Sequence, residues 1–565
     1  MSSPTEQDPV SPENEGSSEP AEAARAASPG IVRSAGVVSL SVMASRVLGL
    51  VREQVFAGFF GAGKEYDAFV TAFRIPNLLR DLFAEGALSS AFVTTFSQYL
   101  TIKGEKEAIR LSNLVATALM LLLGIFTVLG IIFAPWLVDI TAYGFSEIPG
   151  KKELTVEMTR IMMPFILLVA LAAQAMGILN ARGYFGIPAL ASAFFNLGAI
   201  LGGLLCGFVL GPALGFRPIV GMAIGTLLGG MLQFVVQWPS LHKAGFRYRP
   251  MLSFSDPGVR QIMRLMGPAL IGTAAVQINV LVNSNFASSI RDAAGNPIDG
   301  PVSWLNYAFR LMQFPIGVFG VAIGTVTLPA ISRSIARKNI PEFRDTLSRS
   351  LGLVFLLCIP SAAGLAILGR PIIGAIYQHG KFNASDTSQA AAALAFYSIG
   401  LAGYAAIKVL APAFYAMDDA RTPMLISVGS IAINFALNWT LVRVLGFGHR
   451  GLALSTSLVA LLNCLLLLVF MRRRVHRIEG RRLLSSLLRI SAATGGMALV
   501  CWLLSGMILN RLGASTFFAY LASLAVAIPA GVGVLYALCS LLGVQELGMV
   551  KEALSRSLQK KSPHS

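Results

Sequence analysis

Charge is what this sequence has least of. Only 13% of its 565 residues are charged, while 55% are apolar, and the mean hydropathy is +0.68. Ordinary soluble domains carry about twice that share of charge, so a water-soluble fold is excluded. Cysteine is also scarce. The five present, Cys206, Cys358, Cys464, Cys501 and Cys539, each stand alone in an apolar run; with no CxxC spacing and no adjacent histidine they read as packing residues, not as a zinc or disulfide framework. The five histidines are scattered. No phosphate-cradling Walker sequence is present, and no nucleophile, base and orienting acid assemble by spacing, which argues against an ATP-driven pump or an enzyme.

What the chain has instead is length in apolar runs. Stretches of about 20 residues, enough to cross a hydrocarbon layer of roughly 30 Å, recur from Val37 to Leu542, about fourteen in all. The expectation is an all-α integral membrane protein. Residues 1–35 differ: Ser, Pro, Ala and the acids Glu6, Asp8, Glu13, Glu15, Glu19 and Glu22 dominate, which predicts a disordered acidic tail without the pattern of a secretory signal.

Lys and Arg exceed Asp and Glu by 45 to 28, a net charge of +17. Their placement explains the excess. Alternate loops are basic: Lys103, Lys106 and Arg110; His242, Lys243, Arg247 and Arg249; Arg333, Arg337, Lys338 and Arg344; Arg472 to Arg474, Arg477, Arg481 and Arg482; Lys551, Arg556, Lys560 and Lys561. Positive charge accumulates in cytoplasmic loops, so both termini are expected in the cytoplasm, and nucleic acid is not an expected partner. Lys151 and Lys152 break the alternation.

A long internal repeat is also visible. Ala72-Phe73-Arg74 recurs as Ala308-Phe309-Arg310 at an offset of 236; Pro135 and Gly144 recur as Pro371 and Gly380 at the same offset, and Ala181 and Pro188 as Ala416 and Pro423 at 235. This predicts two six-helix lobes in parallel relation, residues 36–242 and 243–474, with a substrate path between them. Residues 475–546 hold two spans outside the repeat, and 547–565 form a basic tail.

Charges inside the spans point to the site, because each costs about 2.5–3.5 kcal/mol at the bilayer centre. The first two spans carry Arg46, Arg52, Glu53, Asp67, Arg74, Arg80, Asp81 and Glu85; the second lobe adds Arg310 and Lys408, neither with an acid at helical spacing. Bases outnumber acids, so an anion is the expected ligand, and the arginine fork suits phosphate. Arg52, Arg80 and Lys408, nearer helix ends, are equally open to a reading as snorkelling side chains. Asp67 and Glu85 are better partners and helix-end groups than ligands.

The runs "SRVLGLVRE", "FGAGKEYDAF", "RIPNLLRDLFAEGALSSAFV", "SWLNYAFRLMQFPIGVFGVAIGT" and "KVLAPAFYAMDDARTP" closely resemble the MurJ (MviN) family of lipid II flippases, in the superfamily that includes multidrug exporters. The resemblance implies fourteen helices around a cationic cavity in the bacterial cytoplasmic membrane. It further implies alternating access, the diphosphate head of lipid II in the cavity, and its polyprenyl tail in a groove of the last two helices. The family's functional positions fall on Ser45, Arg46, Arg52, Asp67, Arg80, Glu85 and Arg310; Arg74 and Lys408 rest on charge alone. Phe309 and Gln313 stand where relatives often have acids, which leaves Arg310 less neutralised and argues against a fixed ion pair there. Some members are thought to bind sodium, at positions that fall here on Asn283, Asn434, Asn438 and Thr456. Interhelical hydrogen bonding is the favoured alternative for these neutral residues, and coupling to protons or to membrane potential stays open. Partners in cell-wall synthesis are expected at the cytoplasmic tails, although no motif names one. The competing functions are export of another lipid-linked glycan or of drugs, and a non-transporting scaffold; cationic drugs would call for acids in the cavity.

Overall fold

The computed structural model describes residues 29–82, 87–477, 479–513 and 516–559. Among them the chain is helical throughout, with one isolated bridge between Arg291 and Pro297 and no strand. In a solvent without hydrogen-bonding partners, helices satisfy their own backbones, which is why apolar runs of this length fold this way. Among the described residues ten helices are long and apolar enough to cross a membrane, or eleven if the pair Ala384–Ile399 and Leu401–Tyr415, bent by 44°, forms one span. The expected fourteen is not reached by this measure. Lys64–Arg80 and Ala87–Ile102, at 17 and 16 residues, are each too short, and the first of them holds Lys64, Glu65, Asp67, Arg74 and Arg80.

The first helix, Pro29–Phe60, starts earlier than the expected end of the tail, with proline in its first turn, where the missing N–H costs nothing. The rest of the acidic tail lies outside the described residues.

The repeat reappears in the order of helices. Glu105–Ile132 and Ile340–Ile367 have 28 residues each and start 235 positions apart; each is followed by a nine-residue helix, Ala134–Ala142 and Gly369–Tyr377. π-Helical turns at Leu205–Leu210 and Trp439–Val444 also match, at an offset of 234. Such widened turns are rare in helices, so a matched pair is strong support for duplication.

Within the first half, Gly186–Leu204 and Pro218–Val235 approach backbone to backbone: a Cβ at Gly225 would lie 2.2 Å from the Gly203 nitrogen. Small residues let membrane helices pack this closely where lipid gives no hydrophobic drive. The Pro257–Ser288 helix bridges the halves. Val259 and Ile262 near its start pack with Tyr99 and Leu111 of the first half, whereas Asn279 and Asn283 bond to Ser430 and Thr456 of the second. The basic loop before that helix also bonds to the first half, through Arg247, Arg249 and Met251 to Asn113 and Thr117, and the remaining polar contacts between the halves gather toward the other end. The last two spans, Gly480–Leu512 and Phe517–Leu541, pack on Ile340–Ile367 and Gly369–Tyr377.

Candidate functional site

Two polar clusters, one above the other, join the halves. The outer one is built on Asp67, in the first turn of Lys64–Arg80. Its carboxylate accepts from Lys151 Nζ at 2.8 Å, from the backbone N–H groups of Gly300 and Ser303 at 2.8 Å each, and from Ser303 Oγ at 2.6 Å. Gly300 and Ser303 open the helix Pro301–Pro315, so Asp67 lies at the positive end of another element's dipole. Lys151 also reaches Asp299 at 2.7 Å, and its side chain is fully buried. The lysine that looked like an exception to the loop-charge pattern is therefore an enclosed structural cation. Tyr307 Oη donates to the Gly61 carbonyl, the Lys381 N–H to the Gly58 carbonyl, and Gln54 Nε2 to the Ile376 carbonyl. This end is closed by a clasp, and Asp67 is in it, not on an open wall.

Beneath the clasp lies the second cluster. Glu53 Oε1 accepts a hydrogen bond from Arg52 at 3.1 Å and forms an ion pair with Arg310 Nη2 at 3.2 Å, while Oε2 accepts from Tyr66 Oη at 2.7 Å. Tyr66 in turn accepts from Asn306. Arg310 thus has a fixed acidic partner after all, in correction of the expectation drawn from Phe309 and Gln313. The acid comes from the first helix of the other half, where no local spacing could reveal it. Arg52 is buried and lies over the Phe195 ring at 5.4 Å, whereas the Arg310 side chain is 43% exposed. One carboxylate facing two guanidiniums leaves a net positive charge, and the more open arginine is the one able to take a further anion.

Arg46 is exposed and lies deeper toward the basic end, with its guanidinium against Gly317, where a Cβ would be 3.0 Å from Nη2. The Ser45 carbonyl accepts from Asn196 at 3.1 Å. Arg74 is half-buried and Lys408 exposed. Among the described residues Arg46, Arg74 and Lys408 have no acidic partner. Arg80 pairs with Asp81 at 3.0 Å, and Asp81 accepts from Gln277 at 3.2 Å. Glu85 lies outside the described residues. From helix ends at Phe60 and Pro301 and a rise of about 1.5 Å per residue, Arg52 and Arg310 share a depth some 12–14 Å below the clasp end, with Arg46 roughly 20 Å below it. Tyr66, Asp299 and Ser303 are members of these clusters that sequence reasoning did not name, and Glu53 and Lys151 were named there without their partners.

Asn283, Asn434, Asn438 and Thr456 do come together. Asn283 Oδ1 accepts from Asn434 at 3.0 Å and Asn438 at 2.7 Å, its amide donates to Thr456 at 3.2 Å, and Ser455 donates to Asn434 Oδ1 at 3.1 Å. Asn438 Oδ1 is buried without a donor. An orphaned carbonyl oxygen beside further amide and hydroxyl oxygens fits a hard monovalent cation, and not a metal that needs thiolate or imidazole. No group of three His, Cys, Asp or Glu side chains suited to a metal occurs among the described residues.

The family model for the lipid II flippase MurJ matches residues 56–523. The lipid II flippase MurJ of Burkholderia cenocepacia is 38% identical over 441 residues, 77% of this chain and 83% of that protein. A probable lipid II flippase MurJ of Vibrio cholerae is 38% identical over 449 residues, 77% and 82% of the two chains. A solved lipid II flippase MurJ in an inward closed conformation superposes with a TM-score of 0.72 at 27% identity, over 89% of this chain and 98% of that one. An inward-facing MATE multidrug transporter shares the fold at a TM-score of 0.65 and 16% identity, over 77% and 96%. With its helical duplication, cationic centre and matched sequence, the chain belongs to the MurJ family of lipid II flippases.

Proposed function

We propose that this protein moves lipid II from the cytoplasmic to the outer leaflet of the bacterial cytoplasmic membrane by alternating access, without covalent chemistry. The observation that carries the reading is the arginine excess below a closed clasp. Glu53 neutralises only one of Arg52 and Arg310, and Arg46, Arg74 and Lys408 add positive charge inside a membrane protein. A diphosphate is the counterion that such an array is suited to hold, through paired N–H donors.

The basic loops support a cytoplasmic position for the end opposite the clasp. The head group enters there and meets Arg46 and Arg80 first, then Arg310 and Arg52 at the inner face of the clasp. As phosphate competes with Glu53 for Arg310, the cluster that ties the first helix to Pro301–Pro315 loosens. Separation of Asp67 from Ser303, and of Lys151 from Asp299, then opens the outer end. The polyprenyl tail stays in lipid along the groove of the last two helices. Sodium would be held by Asn283, Asn434, Asn438 and Thr456, where it would supply fixed positive charge and a reason for the second half to change its packing. Cell-wall synthesis proteins at the cytoplasmic tails complete the expected partners.

Native mass spectrometry of purified protein tests the ligand. A bound lipid of the mass of lipid II, lost in Arg310→Ala, is the expected result. Equal retention by the variant would overturn the role of Arg310.

A further inference from the structure

The last two spans reach the gate. Tyr520, near the outer end of Phe517–Leu541, is 1% exposed. Its hydroxyl donates to Gln378 Oε1 at 3.0 Å, and that same oxygen accepts from Thr387 Oγ1 at 2.8 Å. The Tyr520 ring is pressed onto Gly374, where a Cβ would lie 2.3 Å from it, so only glycine permits the contact. Ser523 donates to Ser505 at 2.8 Å and ties the two spans to each other.

Gln378 ends the short helix Gly369–Tyr377, and the next three residues are part of the clasp. His379 Nε2 bonds to the Gln54 carbonyl at 3.0 Å, and Lys381 N–H donates to the Gly58 carbonyl at 2.9 Å. Gly380 holds a left-handed φ of +58° against the first helix, and a Cβ there would lie 2.1 Å from the Gly58 oxygen. Gln54 and Gly58 are on the helix that carries Arg52 and Glu53. A continuous set of short contacts therefore runs from the C-terminal spans to the gate and to the acid that neutralises the site.

We propose that Tyr520 and Gln378 are positioning residues through which a seated prenyl tail sets the outer gate, so that the gate responds to the whole lipid and not to its diphosphate alone. This rests on the flippase reading above. The chemistry is mechanical: a tail seated along Gly480–Leu512 and Phe517–Leu541 shifts Tyr520, and the Gln378–Lys381 turn moves with it relative to Gly58. A gate that ignored the tail would let any soluble diphosphate open the path, and the contact chain is a physical means of preventing that.

The test uses full-length protein in nanodiscs with spin labels on cysteines replacing Glu65 and Ser385, which open helices on the two sides of the clasp; the five native cysteines are buried. Double electron–electron resonance is recorded with undecaprenyl diphosphate and with farnesyl diphosphate as probes. The expected result is a distance shift with the long chain and at least about fivefold less shifted population with the short one, the lower end of ordinary coupling between sites. Tyr520→Phe, which removes one hydroxyl and keeps the ring on Gly374, is expected to reduce the long-chain response to the short-chain level while binding stays within about twofold. Gln378→Ala is the second variant and should do the same. Equal responses to both probes in the wild type, an unchanged response in both variants, or loss of binding together with response would each overturn the proposal. Failure of undecaprenyl diphosphate to bind the wild type would instead overturn the flippase reading itself.

Discussion

Asp67→Asn is a nearly isosteric change at the centre of the clasp. The carboxylate accepts four hydrogen bonds, two on each oxygen. An amide retains one acceptor oxygen for Ser303, but its NH2 then faces the Lys151 ammonium and the Gly300 N–H, two donors that have lost their acceptor. The Asp67 side chain is 1% exposed and that of Lys151 0%, so solvent does not screen the loss. Removing one partner of a buried ion pair costs about 3–5 kcal/mol, and Lys151 keeps Asp299, so the lower end applies. About 3 kcal/mol is roughly a hundredfold shift toward the separated state. Where that state begins at about 10% of molecules, the observable gain is capped near tenfold, and a smaller starting population allows a larger one. The assay is the reaction of a cysteine at Asn306, under the clasp, with an impermeant maleimide added from outside. A rise of about tenfold or more is expected in Asp67→Asn; a change below about threefold would refute the reasoning. Lys151→Met should raise the rate too, and the double variant should be markedly less than additive, as residues of one network are.

Other outcomes follow from the same geometry. Glu53→Gln leaves Arg52 and Arg310 facing each other, and the melting temperature should fall in detergent and recover in part when undecaprenyl diphosphate is added; no recovery would count against a shared anion site. Gly225→Ala places a Cβ 2.2 Å from Gly203 and should destabilise the first half by about 1–3 kcal/mol or more, read as a loss of folded protein on gentle heating. Asn438→Ala should abolish any difference between sodium and potassium chloride in thermal stability, since it removes the orphaned oxygen; a difference that persists would place the cation elsewhere. Arg46→Lys keeps the charge but not the fork, so lipid II translocation should drop by about tenfold.

Some of this was legible in the sequence for simple reasons. Apolar length gives spans whatever their neighbours, and a duplicated chain nearly keeps its offset: the 236 read from Arg74 and Arg310 is within two residues of the 235 and 234 of the matched helices. The cost of charge in lipid marks Arg46, Arg52 and Arg310 without any structure. Pairing is different. Glu53 meets Arg310 from 257 positions away, beyond the reach of any helical-spacing rule, and Lys151 in a loop-like stretch gave no sign of being enclosed by Asp67 and Asp299. The four polar residues Asn283, Asn434, Asn438 and Thr456 were placed by resemblance, and their hydrogen bonds support the interhelical role as directly as the cation role. Tyr520 and Gln378 carried no signal, because an aromatic and an amide in apolar surroundings are ordinary until their partners are seen.

The central claim is that the arginines beneath the clasp carry a lipid diphosphate across the membrane. Its most direct test is lipid II translocation in proteoliposomes by wild type, Arg46→Ala and Arg310→Ala, each reconstituted to equal protein content. The account predicts transport by the wild type and loss in both variants, with all three inserted equally. Full transport by both variants would contradict it.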